Sequence, residues 1–326
     1  MNMIEVENLI KKYEAFTAVD GVSFYLEQGE LFGLLGPNGA GKTTTINMLT
    51  GLAQVTSGSA MVAGLPYPKG LKPAQRLIGV VPDESNLYEE LNGFDNLCFC
   101  AALYGMAKKK REQKAGDLLE QFNLTEAGDR PFKAYSKGMK RKLTIAAGII
   151  HDPQILFLDE PTTGIDVASA RQIRALIKER HGQGTTILLT THYIEEAERL
   201  CQRIAFLVKG KIVRCGNLGE LMQEVQQEHI VQMTLSETPG NFLEKMSQAF
   251  PELQIKALGG NSLRCLSSKA VNVTPLIVFL DQLGLSVFEA KIIQPTLEDV
   301  FVKVTGIGLD QLKQEKAGGG KGGGKG

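Results

Sequence analysis

At residues 31–44 an apolar run, LFGLL, passes directly into GPNGAGKTT, and a helical pattern begins near Thr43. Gly36 to Thr43 fit G-x-x-x-x-G-K-[ST] in full. Few short stretches constrain a fold so tightly. The glycines let successive backbone N–H groups face inward, and the first turn of the following helix leaves further donors unpaired. Such a loop wraps phosphate, so Gly36, Pro37, Asn38, Gly39, Ala40, Gly41, Lys42, Thr43 and Thr44 are the binding candidates. Lys42 brings a mobile positive charge to the β- and γ-phosphates, and the Thr43 hydroxyl is a candidate ligand for Mg2+. The fold class expected from this strand–loop–helix unit is α/β, of the P-loop type.

The rest of the chain supports that class. Residues 1–217 alternate short apolar runs with helix-length segments. Strand candidates are 31–35, 77–81, 155–158 and 186–190, and IAFLVKGKIVR at 204–214 reads as a hairpin turning at Lys209-Gly210. From about 84 to 152 the patterns are helical, which predicts an inserted helical subdomain. After Gly216, a linking helix over 218–228 leads to a strand, helix, two strands, helix and strand up to 293. That βαββαβ order predicts a small ferredoxin-like domain over 218–308. The tail, 309–326, ends in AGGGKGGGKG and is expected to be disordered.

Composition sets limits. Lys+Arg and Asp+Glu balance at 36 each, so no net field recruits nucleic acid or anionic lipid. No apolar stretch approaches the ~20 residues that span a bilayer. The five cysteines lack paired spacing and are expected as small buried apolar residues in a reducing compartment. The KKKR run at 108–111 is expected to be a solvated helix end.

Two more strands end in chemistry. ILFLDE at 155–160 leads a buried strand into Asp159, where a carboxylate can hold a metal-bound water. The pleat aims Glu160 elsewhere, toward orienting and partly deprotonating an attacking water; the alternative is a surface strand end. TILLTTH at 186–192 ends in His192. Run parallel to the first, this strand finishes on the same edge, where His192 can donate to a γ-phosphate. A further segment, AYSKGMKRKL at 134–143, puts Ser136 and Gly138 where a helix opens, which is anion-binding geometry. Met139, Leu143, Ala146 or Ala147 and Ile150 share a face of that helix, and Asp152-Pro153 ends it.

In this order the motifs resemble the ATP-binding subunits of ABC transporters, and the likeness spans residues 1–217. Tyr13 stands where that family places an aromatic on adenine. The phosphate loop, a signature segment at 135–139, LDEP at 158–161, TGID at 163–166 and His192 follow. The resemblance implies ATP and Mg2+ as cofactors, with Glu160, His192 and Lys42 catalytic. YSKGM corresponds to the signature usually written LSGGQ. By that correspondence Ser136, Lys137 and Gly138 meet the γ-phosphate of ATP held by a second copy, in a homodimer around two ATP. A separate transmembrane permease is the implied partner, holding the chain at the cytoplasmic face of the membrane.

The chain departs from the family pattern in two places. Tyr135, Lys137 and Met139 replace Leu, Gly and Gln in the signature; Lys137 either adds charge toward phosphate or is solvated. After the strand at 78–81 stands Asp83, where the family usually has glutamine. A carboxylate there can still bind Mg2+ directly or through water, so the metal candidates are Thr43, Asp83 and Asp159. PDESNLYEELNGFDNL at 82–97 and PTLEDVFVKVTG at 295–306 resemble the drug- and antibiotic-export branch. Two alternatives stay open: a non-transport ATPase acting on ribosomes or DNA, and a nucleotide-gated regulatory module. The small C-terminal domain reads either as a dimer-stabilising appendage or as a regulatory or permease contact.

Overall fold

The computed structural model describes residues 1–223, 225, 229–238, 240 and 242–308. Residues Met1–Asn217 form one compact unit and Leu218–Gly306 a second. The first opens with β1 (Asn2–Tyr13), β2 (Phe16–Glu27), β3 (Leu31–Leu35), α1 (Lys42–Thr50), β4 (Ser57–Val62), β5 (Leu65–Pro66), α2 (Leu71–Gln75) and β6 (Ile78–Val81). Helices α3 (Gly93–Leu103), α4 (Lys108–Gln121) and α5 (Lys137–Ile149) follow with no strand between them. The unit closes with β7 (Ile155–Asp159), α6 (Val167–Gly182), β8 (Thr186–Thr191), α7 (Ile194–Leu200), β9 (Arg203–Val208) and β10 (Lys211–Asn217).

Its central sheet runs β10-β9-β3-β8-β7-β6. Every pair is parallel except the β9–β10 hairpin. Both faces are buried, and successive residues alternate between two cores, as a covered parallel sheet requires. Leu31, Leu156, Leu158, Ile187 and Leu189 point into the core shared with α3, α4 and α5. Phe32, Leu34, Ile155, Phe157 and Leu188 point into the opposite core, beneath β1, β2, β4 and α1. Because β3, β6, β7 and β8 run the same way, their C-terminal ends share one edge. Register aligns Leu35 with Thr191, Asp159 with Thr190 and Val81 with Leu158.

The second layer is an antiparallel sheet in the order β2-β1-β4-β5, which the sequence pattern does not announce. Pairing of β1 with β2 shifts register after Asn2, Val6, Leu9 and Lys11. Each shift breaks the two-residue alternation by which a half-buried strand is recognised. The KKKR run opens α4, with Lys108, Lys109 and Lys110 exposed.

The second unit comprises α8 (Leu218–Met222), β11 (His229–Leu235), α9 (Phe242–Ala249), β12 (Gln254–Leu258), β13 (Ser262–Ser267), α10 (Val273–Gln282), β14 (Val287–Ile293) and α11 (Leu297–Thr305). Its antiparallel sheet has the order β12-β13-β11-β14. Val231, Met233 and Leu235 pack from one face of β11 onto Met246 of α9 and Leu276 and Leu280 of α10. Arg264 Nη1 donates to Asp299 Oδ1 at 2.7 Å, tying β13 to α11, which a Thr296–Asp299 capping box starts. Part of the expected linking helix (224 and 226–228) and the 309–326 tail lie outside the described residues. No disulfide joins any of the five cysteines; Cys265 is buried, while Cys215 is exposed against expectation, because it lies on the edge strand β10.

Candidate active site

The loop between β3 and α1 is pinned from both sides. Gly36 N–H donates to the Thr191 carbonyl at 3.2 Å, and Gly210 N–H of the β9–β10 turn donates to the Ala40 carbonyl at 2.9 Å. Two glycines are sterically required. A Cβ on Gly36 would run into the Leu207 carbonyl, and Gly41 has φ +103° with the Ala18 carbonyl against its Cβ position. Helix α1 starts at Lys42 with no side-chain cap and no acidic residue in its first turn. Its leading N–H groups and the positive end of its dipole are therefore offered to an anion.

Lys42 is buried and its ammonium has three partners: the Gly36 carbonyl at 2.7 Å, the Pro37 carbonyl at 3.0 Å and Glu160 Oε1 at 3.2 Å. Glu160 follows β7 at φ +49°, a conformation costly for a residue with a Cβ. Its N–H is held by the Thr190 carbonyl and hydroxyl, each at 3.1 Å. The two carboxylate oxygens differ. Oε2 accepts from His192 Nδ1 and from the Thr163 hydroxyl, each at 2.8 Å. Oε1 accepts no hydrogen bond among the described residues and has only the Lys42 charge nearby. Burial alone would raise the Glu160 carboxyl. The His192 hydrogen bond and the Lys42 charge outweigh that and hold it below its ordinary value.

Asp159, 3% exposed, is fixed by the Thr190 hydroxyl, which donates to its Oδ1. Thr43, at the first turn of α1, is exposed. Asp83 is also exposed and lies one strand across from Asp159, beyond the end of β6. Among the described residues no three His, Cys, Asp or Glu side chains cluster as a metal cage. That donor set fits Mg2+, which typically takes one or two carboxylates and relies on substrate phosphate and water for the rest. So the fold brings Lys42, Asp159, Glu160 and His192 to one edge, with Thr43 and Asp83 at its margin.

The remaining candidates lie elsewhere on the first unit. Tyr13, 49% exposed at the β1–β2 turn, has Lys11 Nζ 4.5 Å from its ring centroid. Ser136 caps α5, its hydroxyl accepting from Met139 N–H at 3.3 Å. Ser136 and Lys137 are exposed. Gly138 is buried against Ser169 and Asp166 where α6 begins, and Lys137 passes over Gly164.

Two buried charged residues escaped the sequence reading. Arg141 donates to the carbonyls of Pro161 (2.9 Å), Asp159 (2.6 Å), Asp83 (3.1 Å) and Pro82. Burial lowers its pKa despite the nearby Asp83 and Asp159 charges. It thereby ties the signature helix to the ends of β6 and β7. Glu196, on α7, accepts from the Thr162 hydroxyl at 2.5 Å and the Thr191 hydroxyl at 2.8 Å. Burial raises its pKa. A faint signal existed for each: Arg141 falls three residues after Gly138, and Glu196 four before Leu200, on buried helix faces.

Known proteins share this arrangement. A family model described as ABC transporter matches residues 19–163. The linearmycin resistance ATP-binding protein LnrL of Bacillus subtilis is 35% identical over 93% of this chain and 98% of its own length. The daunorubicin/doxorubicin resistance ATP-binding protein DrrA of Streptomyces peucetius is 34% identical over 96% of each chain. Among solved structures, an ATP-binding subunit of an ABC transporter superposes with a TM-score of 0.63 at 31% identity, covering 68% of this chain and 92% of that one. A dimeric cassette in a post-hydrolysis state with ADP and Pi superposes with a TM-score of 0.62 at 25% identity, covering 66% and 99%. With a phosphate loop, a buried Asp-Glu pair and a histidine on one sheet edge, and with relatives matched along nearly their whole length, this chain belongs to the ATP-hydrolysing, ATP-binding subunits of ABC transporters.

Proposed function

We propose that this chain is the motor of an exporter: two copies close around two ATP, and hydrolysis drives a separate transmembrane permease. The observation that carries this reading is the state of Glu160. It is a buried carboxylate, kept ionised by His192 and Lys42, with Oε2 saturated and Oε1 without a hydrogen bond beside the Lys42 ammonium, so Oε1 is left for a water proton once Lys42 turns to phosphate. In this reading the 36–44 backbone donors cradle the triphosphate and Tyr13 stacks on adenine. Lys42 turns from its carbonyl and Glu160 partners to the β- and γ-phosphates. Glu160 then loses a cationic neighbour, which strengthens it as a base. His192, whose Nδ1 donates to Glu160, can also donate from Nε2 to a phosphate oxygen when both ring nitrogens carry protons. Thr43, Asp159 and Asp83 are the residues that would hold Mg2+, which neutralises charge on the phosphates when bound.

Ser136, Lys137 and Gly138 complete the site of the other copy, since within their own chain Ser136 and Lys137 face outward. Among the described residues no helix is long and apolar enough to cross a membrane. Attachment at the cytoplasmic face of the membrane is therefore assigned to the permease. The segment at about 84–152 is read as the permease-facing helical subdomain, and 218–308 as an accessory domain. Export follows from relatives named for drug resistance and for Nod factor export. The reading is tested by tagging the full chain and purifying it in mild detergent: a multi-helix membrane protein should accompany it and stimulate ATP hydrolysis. Recovery of ribosomes or DNA instead would overturn it.

A further inference from the structure

Among the described residues Glu196 is the most deeply buried charged side chain that the proposed chemistry does not use. It is 4% exposed, and each of its carboxylate oxygens receives one hydroxyl. The two hydroxyls come from different strand ends. Thr162 stands two residues after Glu160 in the turn beyond β7. Thr191 ends β8, immediately before His192.

Both threonines stand in loops that other contacts hold. Thr191 Oγ1 accepts from Tyr193 N–H at 3.0 Å, so one hydroxyl braces the backbone on both sides of His192. The Thr191 carbonyl accepts from Gly36 N–H, the first donor of the phosphate loop. Beside Thr162, the Pro161 carbonyl accepts from Arg141 Nε at 2.9 Å. Glu196 thus sits where the loops carrying Glu160, His192 and Gly36 converge. A carboxylate has four lone-pair sites and no donor, so it can hold two hydroxyls at once at a fixed separation. Burying such a group costs free energy, and no stability argument requires a charge there.

We propose that Glu196 is a positioning residue for hydrolysis: by bridging Thr162 and Thr191 it sets the spacing between the Glu160 base and His192. The claim rests on the reading of Glu160 and His192 given above. A displaced base leaves nucleotide binding intact and slows the chemical step, so the expected signature is a split between kcat and KM.

Glu196→Ala should lower kcat for ATP hydrolysis by about tenfold to a hundredfold, with KM changed by less than about threefold. Glu196→Gln keeps the size, one acceptor for Thr191 and an amide that can donate to Thr162; it should recover to within about threefold of the parent. Thr162→Val removes only the hydroxyl and should reproduce part of the loss, which keeps the test available if Glu196→Ala fails to fold. A kcat within about twofold of the parent in both Glu196→Ala and Thr162→Val overturns the proposal, as does an equal fall in Glu196→Ala and Glu196→Gln. A Glu160→Gln control separates the two levels. If it abolishes turnover while Glu196→Ala and Thr162→Val keep kcat within about twofold of the parent, the positioning role alone is wrong; if it hydrolyses at the parent rate, the assignment of the base is wrong and the positioning role falls with it.

Discussion

Two corners of this chain are shaped for phosphate, and they differ in what their own chain does with them. The corner at 36–44 is finished from within. Gly36 and Gly41 are pressed against carbonyls, its lysine is buried, and its counter-charge Glu160 is locked by His192 and Thr163. The corner at Ser136 is turned outward. Its serine satisfies one N–H of its own helix, and Ser136 and Lys137 are exposed. The two interiors also differ in dielectric setting. Charge placed at the first corner is shielded from water and strongly felt; charge at the second is screened until something covers it. The difference teaches that the proposed catalytic unit is larger than one chain.

The sharpest break between the corners is in the base. Glu160→Gln should lower kcat by at least about a hundredfold while ATP binding persists, and the ATP-loaded protein should elute as a dimer. Light scattering on the ATP-loaded variant checks this; a strictly monomeric protein would leave the second corner without a role. Next is complementation. Lys42→Ala and Ser136→Ala should each lose about tenfold or more, since each removes a hydrogen bond to a charged phosphate. In the proposed dimer, an equimolar mixture forms pairs with one site made wholly from unaltered corners. Its rate should therefore exceed the mean of the two variants; a rate equal to that mean would put both corners in the service of one chain.

A smaller effect is expected at the adenine platform. Tyr13→Ala should weaken ATP binding by about twofold to tenfold and Tyr13→Phe very little, because ring stacking contributes about 0.5–1.5 kcal/mol. Titration with a fluorescent ATP analogue reads this directly.

The smallest effect contrasts two buried carboxylates through melting temperature. Glu160 is held below its ordinary value of 4.5, so its ionisation stabilises the fold above that pH and the contribution is lost as pH falls through the depressed value. Burial raises the Glu196 carboxyl above 4.5 and the Glu160 charge adds to this, against the Thr162 and Thr191 hydroxyls and the Arg174 charge; Arg141, Tyr193 and Cys201 also lie near it. Its contribution is fully present below 4.5 and shrinks as pH rises through the raised value. At neutral pH Glu160→Gln should melt below the parent and Glu196→Gln at or above it, and both differences should narrow on acidification.

Much of the site was legible because its residues stand at the ends of apolar strands. LFGLL, ILFL and TILLT each declare a buried strand, and parallel pairing forces Gly36, Asp159 and His192 onto one edge. The β1–β2–β4 layer was less legible, since its register shifts disturb the alternation. Arg141 and Glu196 were nearly invisible for another reason. Arg141 binds four carbonyls, at Pro82, Asp83, Asp159 and Pro161. A carbonyl carries no side-chain identity, so nothing in those residue types calls for an arginine. Glu196 binds threonines, which occur in many strands for their β-branching alone.

The sequence by itself determined which strands are buried, where the phosphate loop turns and which carboxylates and histidine end at the catalytic edge. Those outcomes depend on local periodicity and on backbone freedom at glycine. Only the tertiary structure decided which Glu160 oxygen is left without a hydrogen bond, that Lys42 rests against it, and that Arg141 and Glu196 both fasten the loops. Such choices are made by hydrogen bonds between residues far apart in the chain, whose partners exist only once the sheet has closed on both cores.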